Sequence, residues 1–302
     1  MDALLEAALR LAGPLLLAAL GELLIERTGV INIGLEGVML CGAFGAFACA
    51  VATGSPAVGV VTGGVAGCAL GAVFALFAVV RRADQIVVGT AINLLALGLT
   101  GVASRTLYGG AVPTAPAIGT VALPGLAAIP TVGPALFVQP PYVYAALALA
   151  LAIGLFFRRT RPGLRWRAVG ESARAADAEG VAVTRVRVVA VLVGTFLGGV
   201  AGSALPLSQS NVFTEGMTAG RGFIALAIVI FGRWSPLGVT LAALFFGAAH
   251  ALQFWLQARG FDLPYPLFLM FPYAVTLAVL GFSTGRARAP EDLGRAYRRE
   301  AA

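Results

Sequence analysis

Seven side chains able to donate or accept hydrogen bonds stand within apolar runs or in polar stretches between them. Asn32 and Glu36 sit at the start of one apolar run, Glu22 lies within the run before it, and Asn93 lies inside Ile86–Thr100. Gln209, Asn211 and Glu215 fall in a second polar stretch, Ser208–Arg221. A glutamate in hydrocarbon costs a few kcal/mol on insertion scales, so such residues face a bundle interior or a wet cavity. Two readings fit them. Asn32, Glu36, Asn93, Gln209, Asn211 and Glu215 are candidates for a polar pathway; alternatively, they bond helix to helix and cap broken helix ends. They do not form a proton relay, which sets carboxylates and histidines in series. His250 is the single histidine, with Gln253 nearly one turn away. It reads as a satisfied buried histidine; a His-rich zinc site is excluded, and a catalytic triad would rest on it alone. Cys41, Cys49 and Cys68 lie in apolar runs and read as small hydrophobes, not a disulfide framework. No metal centre is expected.

The elements that must hold these side chains are membrane spans. The 302 residues are 59% hydrophobic and 12% charged, about half the usual 25% charged complement of a soluble domain, with mean hydropathy +0.90. Apolar runs cover 4–25, 35–52, 57–80, 86–108, 141–157, 188–207, 222–231, 236–257 and 265–281. Most approach the roughly 20 residues that cross a hydrocarbon core. The expected fold is an all-α polytopic membrane protein, one domain over 1–302, with about nine (eight to ten) transmembrane segments, including broken helices, in two loosely repeated halves. Met1-Asp2 and Glu6 give no basic n-region, so the N-terminus does not read as a signal peptide.

All 21 cationic residues are arginine, and the net charge is +7. They cluster between apolar runs, as in cytoplasmic loops, rather than forming a nucleic-acid face. Placing 158–187 and the tail 284–302 inside puts 109–140 and the tip at Gly54–Pro56 outside, returns Arg81–Arg82 and Arg27 inside, and leaves the N-terminus outside. Arg105 and Arg259 then fall on the wrong side. Segment 222–231 is too short, since ten helical residues rise about 15 Å. Its lead-in, 208–221, and the stretch 28–37 are both polar and glycine-broken. Paired broken segments in two halves point to a central transport pathway; the bland alternative is two surface loops. Gly59, Gly63, Gly67 and Gly71, and later Gly194, Gly198 and Gly202, repeat at four-residue spacing and make flat faces for close helix packing.

Loop 158–187 contains Arg174-Ala175-Ala176-Asp177-Ala178-Glu179-Gly180. It reads as a short helix with a flat alanine face, stopped by a glycine suited to a left-handed cap, and able to dock in a partner's groove. Ala175-Ala176-x-x-x-Gly180 resembles the coupling-helix motif of ABC importer permeases, with Arg174 where glutamate is usual. GELLIERTGVINIGLEG from Gly21 to Gly37 resembles the hallmark of the branched-chain amino acid/simple-sugar (ribose-type) permease family. It is closest to the nucleoside-type branch that works with basic-membrane-protein lipoproteins. DQIVVGTAIN from Asp84 to Asn93 and TAGRGFIALAIVIFG from Thr218 to Gly232 also fit.

The resemblance implies a transport subunit in a bacterial inner membrane, not an enzyme. Its implied partners are a paralogous permease subunit forming a heterodimer, a cytoplasmic ABC ATPase, an extracytoplasmic substrate-binding lipoprotein and membrane lipid. ATP would sit on the ATPase, with no cofactor on this chain; the absence of lysine removes the phosphate-gripping residue of a Walker A loop. Gly170, Glu171, Arg174, Ala175, Ala176 and Gly180 would meet that ATPase, and alternating access would move a nucleoside. The rivals are a same-family permease for simple sugars or branched-chain amino acids, an ion-coupled secondary transporter that needs no partner, and an intramembrane enzyme for which no catalytic set stands out.

Overall fold

A computed structural model describes residues 2–258, apart from 110, 112, 128, 130 and 131, together with 270 and 289–298. Seven of its helices are long and apolar enough to span a membrane. They are α1 (Asp2–Glu26), α2 (Leu35–Thr53), α3 (Pro56–Phe74, extended by a π-helical turn Ala75–Val80), α4 (Gln85–Tyr108), α6 (Pro141–Arg159), α9 (Val183–Ala204, extended by a π turn Leu205–Gln209) and α11 (Pro236–Ala258). Shorter helices are α5 (Val132–Phe137), α7 (Arg161–Glu171), α8 (Ala173–Ala178) and the apolar α10 (Arg221–Phe231). Eight of the nine expected runs are therefore helices. The ninth, 265–281, lies outside the described residues except for Met270. Between α4 and α6, Val121–Ala122 and Val138–Gln139 form a two-residue antiparallel pair, a small β element within the segment expected to be loop.

Helix ends follow local chemistry. Gly54 closes α2 in the left-handed region at φ 69°, Ser55 accepts from Val58 N–H, and Pro56 opens α3. Asp84 caps α4 by accepting from Ile86 and Val87 N–H at 2.9 and 3.0 Å. Helix α1 is the central post, with residues 12–26 buried throughout. Pro14 lies inside it and cannot donate to the carbonyl four residues back. That carbonyl, of Arg10, accepts instead from the Tyr142 hydroxyl of α6 at 3.2 Å. Tyr142→Phe is expected to cost about 1 kcal/mol of stability by orphaning it, read as a lowered unfolding midpoint of the detergent-purified protein.

The glycine stripes are where backbones approach. A Cβ on Gly59 would lie 2.7 Å from the Ala46 carbonyl oxygen, one on Gly63 2.8 Å from that of Gly42, and one on Gly71 2.7 Å from Thr195 Cβ. Gly67 faces Gly199, Gly194 faces Gly21, Gly198 faces Leu35 and Val38, and Gly202 faces the Met39 backbone. Helices α1, α2, α3 and α9 thus form one close-packed block. Helix α4 turns an apolar face outward, with Leu94 68% and Val102 67% exposed.

The two ends of the bundle differ in composition. One gathers residues 27–31, the 81–85 corner, α7, α8, the 232–235 turn and residues 289–298. The other gathers Gly54–Pro56, 113–127 and 207–213, with the Glu6 carbonyl accepting from Gln139 Nε2 at 3.4 Å. Arg105, on the unexpected side, is held by a two-pronged bond to Glu215 at 2.8 and 2.9 Å. Arg259 lies outside the described residues.

Candidate functional site

Two breaks in the helical framework meet. The first, residues 27–34, turns through Gly29 at φ 86° and leaves backbone N–H groups without helical partners. Three side chains, one from α1 and two from α4, supply the missing acceptors: Glu22 Oε1 for Asn32 at 2.9 Å, Gln85 Oε1 for Ile31 at 2.8 Å and Asn93 Oδ1 for Gly37 at 2.8 Å. Within the break, Asn32 Oδ1 accepts from Gly34 N–H at 3.1 Å. Asn93 Nδ2 also donates to the Ile33 carbonyl at 3.0 Å. The second break, 210–220, ends in Gly220 at φ 82°, whose lack of a side chain leaves α10 without a cap of its own. Glu36 provides it. Its Oε1 accepts from Gly220 N–H at 2.8 Å and its Oε2 from Gly222 N–H at 2.7 Å. A carboxylate at a helix N-terminus meets both the unpaired donors and the positive end of the dipole. Gly222 is required there, since a Cβ would lie 2.5 Å from the Glu36 backbone.

The expected pathway residues fall in four places. Glu36 and Asn93 line one cleft of about 210 Å³ with Leu40, Leu97, Gly216, Thr218 and Ala219, and Glu215 stands near by, 3.6 Å from where a Cβ on Gly101 would be. Gln209 lines a different cavity of about 580 Å³ with Glu6, Arg10, Ser208 and Arg221. Asn32 is fully buried within the first break. Asn211 is half-buried at φ 58°, its carbonyl accepting from Ala115 N–H at 2.8 Å. Glu36 and Asn93 therefore both hold broken backbone and line the cleft. Sequence reasoning missed Gln85, although it follows the Asp84 cap directly, and missed Thr218. His250 Nδ1 lies 3.0 Å from the Phe246 carbonyl of its own helix. Among the described residues no three His, Cys, Asp or Glu side chains gather as metal ligands.

The α7–α8 elbow touches the start of the first break. Arg27 Nε donates to the Trp234 carbonyl at 2.7 Å, its guanidinium pairs with Glu171 at 3.6 Å, and Trp234 Nε1 donates to Glu26. Burial holds the Arg27 guanidinium below its usual range, opposed by Glu171. Gly170 packs on the Arg27 carbonyl. Ser172 caps α8, and Gly180 at φ 78° ends it. Gly180 N–H donates to Asp177 and Val181 N–H to Ala176, at 2.9 Å each, the paired bonds of a Schellman stop. Adjacent residues on a helix point about 100° apart, which corrects the expectation of a flat alanine face. Ala176 turns inward onto Val169 and Val183, and Ala175 turns outward beside exposed Arg174, Ala178 and Glu179.

Fold and site together define a polytopic helical membrane protein with two capped, broken helices meeting at a polar cleft. The family model described as branched-chain amino acid transport system / permease component matches residues 4–280, and the chain belongs to that family. It is 40% identical over 245 residues to the guanosine ABC transporter permease protein NupQ of Bacillus subtilis, covering 77% of this chain and 76% of that one. It is 36% identical over 325 residues to the putative glucose ABC transporter permease protein TsgC13 of Haloferax volcanii, covering 98% of each. It is 35% identical over 247 residues to the nucleoside ABC transporter permease protein NupC of Lactococcus lactis subsp. cremoris, covering 80% and 78%. No solved structure matches.

Proposed function

We propose that this chain is the membrane-spanning subunit of an ATP-driven importer and that its cargo is a nucleoside. The observation that carries the reading is the meeting of the two breaks at the Glu36–Asn93 cleft, in a chain whose relatives include guanosine and nucleoside permeases. A nucleoside is neutral and rich in donors and acceptors, which suits amide, hydroxyl and backbone groups. With no lysine, the chain has no Walker A loop to hydrolyse ATP, so a separate ATPase does so. In this reading the arginine-rich end is cytoplasmic, in a bacterial inner membrane. Segment 158–187 is the coupling loop, with Gly170, Glu171, Arg174, Ala175, Ala176 and Gly180 at the ATPase, and 284–302 is the cytoplasmic tail. A paralogous permease subunit completes the pathway, and an extracytoplasmic lipoprotein delivers cargo. At about 210 Å³ the cleft is below the roughly 300 Å³ minimum of ligand sites, which agrees with a pathway shared between two subunits.

The sugar-named relative that spans 98% of the chain favours a second reading, a simple-sugar cargo with the same fold and partners. Uptake of labelled guanosine, uridine and ribose by cells with and without this chain separates the two. Nucleoside uptake is expected to disappear on deletion and on ATP depletion, and to survive an uncoupler that leaves ATP intact. Uptake that follows the ion gradient at constant ATP overturns the reading.

A further inference from the structure

Residues 292–295 bridge the α7–α8 elbow, the first break and the base of α9 at the arginine-rich end, adding to the contacts these parts already make with one another. Asp292 Oδ2 accepts from Ala173 N–H, the first residue of α8, at 2.6 Å, and Asp292 N–H donates to the Gly170 carbonyl of α7 at 3.0 Å. Two residues on, Gly294 N–H donates to the Gly29 carbonyl of the first break at 3.0 Å. Arg187, at the base of α9 and only 3% exposed, donates from NH1 to the Arg295 carbonyl at 2.9 Å and from Nε to the Thr28 carbonyl at 3.0 Å. Leu293 packs on the main core. Gly294 sits at φ 76°, and a Cβ there would lie 3.2 Å from Ile31 Cδ1. A six-residue helix is too short to hold its own position, so α8 lies where its caps and the packing of Ala173 and Ala176 on Val169 and Val183 place it. One cap is its own Ser172; the other is Asp292, which reaches in from the tail. A short hydrogen bond to a carboxylate is among the stronger kinds.

We propose that this tail segment is the strap that carries movement of α8 to the first break, with Asp292 as its positioning residue. The proposal rests on the coupling role given above to α8. Its geometry makes one prediction that independent contacts do not: loosening either end of the strap must loosen the other. The test is amide hydrogen exchange on the assembled transporter, with its ATPase and paired permease subunit. In Asp292→Ala, exchange at Ala173 and also at Ile31 and Asn32 is expected to quicken by about tenfold or more. In Gly294→Ala, which leaves Asp292 in place and strains a left-handed backbone, exchange is expected to quicken at Ala173 as well as at 29–32. Asp292→Asn keeps an acceptor oxygen and is expected to restore most of the protection.

Uptake in Asp292→Ala is expected to fall about tenfold while ATP hydrolysis persists. Exchange confined to the altered end in either variant overturns the strap, as does ATP hydrolysis that falls in step with uptake. If Asp292→Ala does not assemble, the Gly294→Ala exchange decides alone. The exchange needs no cargo, so a wild-type complex that moves no nucleoside defeats the cargo reading and leaves the strap to be judged on its own result.

Discussion

Glu36→Ala is expected to give the largest loss of transport of any single polar substitution in the chain. Its two oxygens hold the part-buried Gly220 and Gly222 N–H groups at 2.8 and 2.7 Å. Each orphaned donor costs about 1–3 kcal/mol. The first turn of α10 then frays and the wall of the cleft moves with it. We expect uptake to fall by at least about 30-fold, the change that roughly 2 kcal/mol produces. Glu36→Gln retains one acceptor oxygen and turns an NH2 group toward a backbone donor, so it is expected to recover only part of the loss. The measurement is labelled-nucleoside uptake in proteoliposomes beside the unfolding midpoint of each variant. Uptake within twofold of wild type in Glu36→Ala would remove Glu36 from both the cap and the pathway.

Gly199→Ala is expected to have the largest effect on stability. A Cβ at Gly199 would meet the Gly63 carbonyl group, with its carbon at 3.0 Å, and Gly67 Cα at 3.0 Å. From the other side, a Cβ on Gly42 would lie 2.5 Å from Gly199 Cα. Three helices therefore converge backbone on backbone at one point, and no flexible side chain is present to yield. Overpacking of an ordinary core costs about 1–3 kcal/mol; with only backbone to move, the cost here is expected to reach about 4 kcal/mol. Little folded protein should be recovered in mild detergent. Gly98→Ala is the control: nothing lies within 4 Å of a Cβ there, and replacing a mid-helix glycine is expected to stabilise by up to about 1 kcal/mol. Equal behaviour of the two variants would mean that α2, α3 and α9 are not packed this closely.

The spans were legible because an apolar run of sufficient length has one stable fate in lipid, and both breaks were legible because glycine and polar residues interrupt such runs. What joins the breaks was not. Glu36 and its two donors are separated by 184 and 186 residues, and Asn93 and Gly37 by 56, so no local pattern links them. The glycine faces were visible as four-residue repeats. Gly42 and Gly199 belong to mixed stripes, Gly42-Ala46-Ala50 and Thr195-Gly199-Ser203, which a search for glycine alone passes over. Asn32, Gln209 and Asn211 share the polar character of Glu36 without sharing its cleft, because residue type fixes polarity but not the direction in which a broken backbone points it. The tail read as arginines in water, and the residues that anchor it, Asp292 and Gly294, carried no periodic signal.

The reach of Glu36 across the chain also bears on how the protein is made. Its carboxylate leaves the ribosome 184 residues before the first backbone group it will hold. At about 5–20 residues per second this is a delay of roughly 10–40 s. Throughout that interval the carboxylate of α2 is an acceptor whose donors do not yet exist, and α10 emerges late as a helix without a side-chain cap of its own. Biogenesis is therefore sequential by construction: the early half waits with a vacant clasp, and the late half closes it.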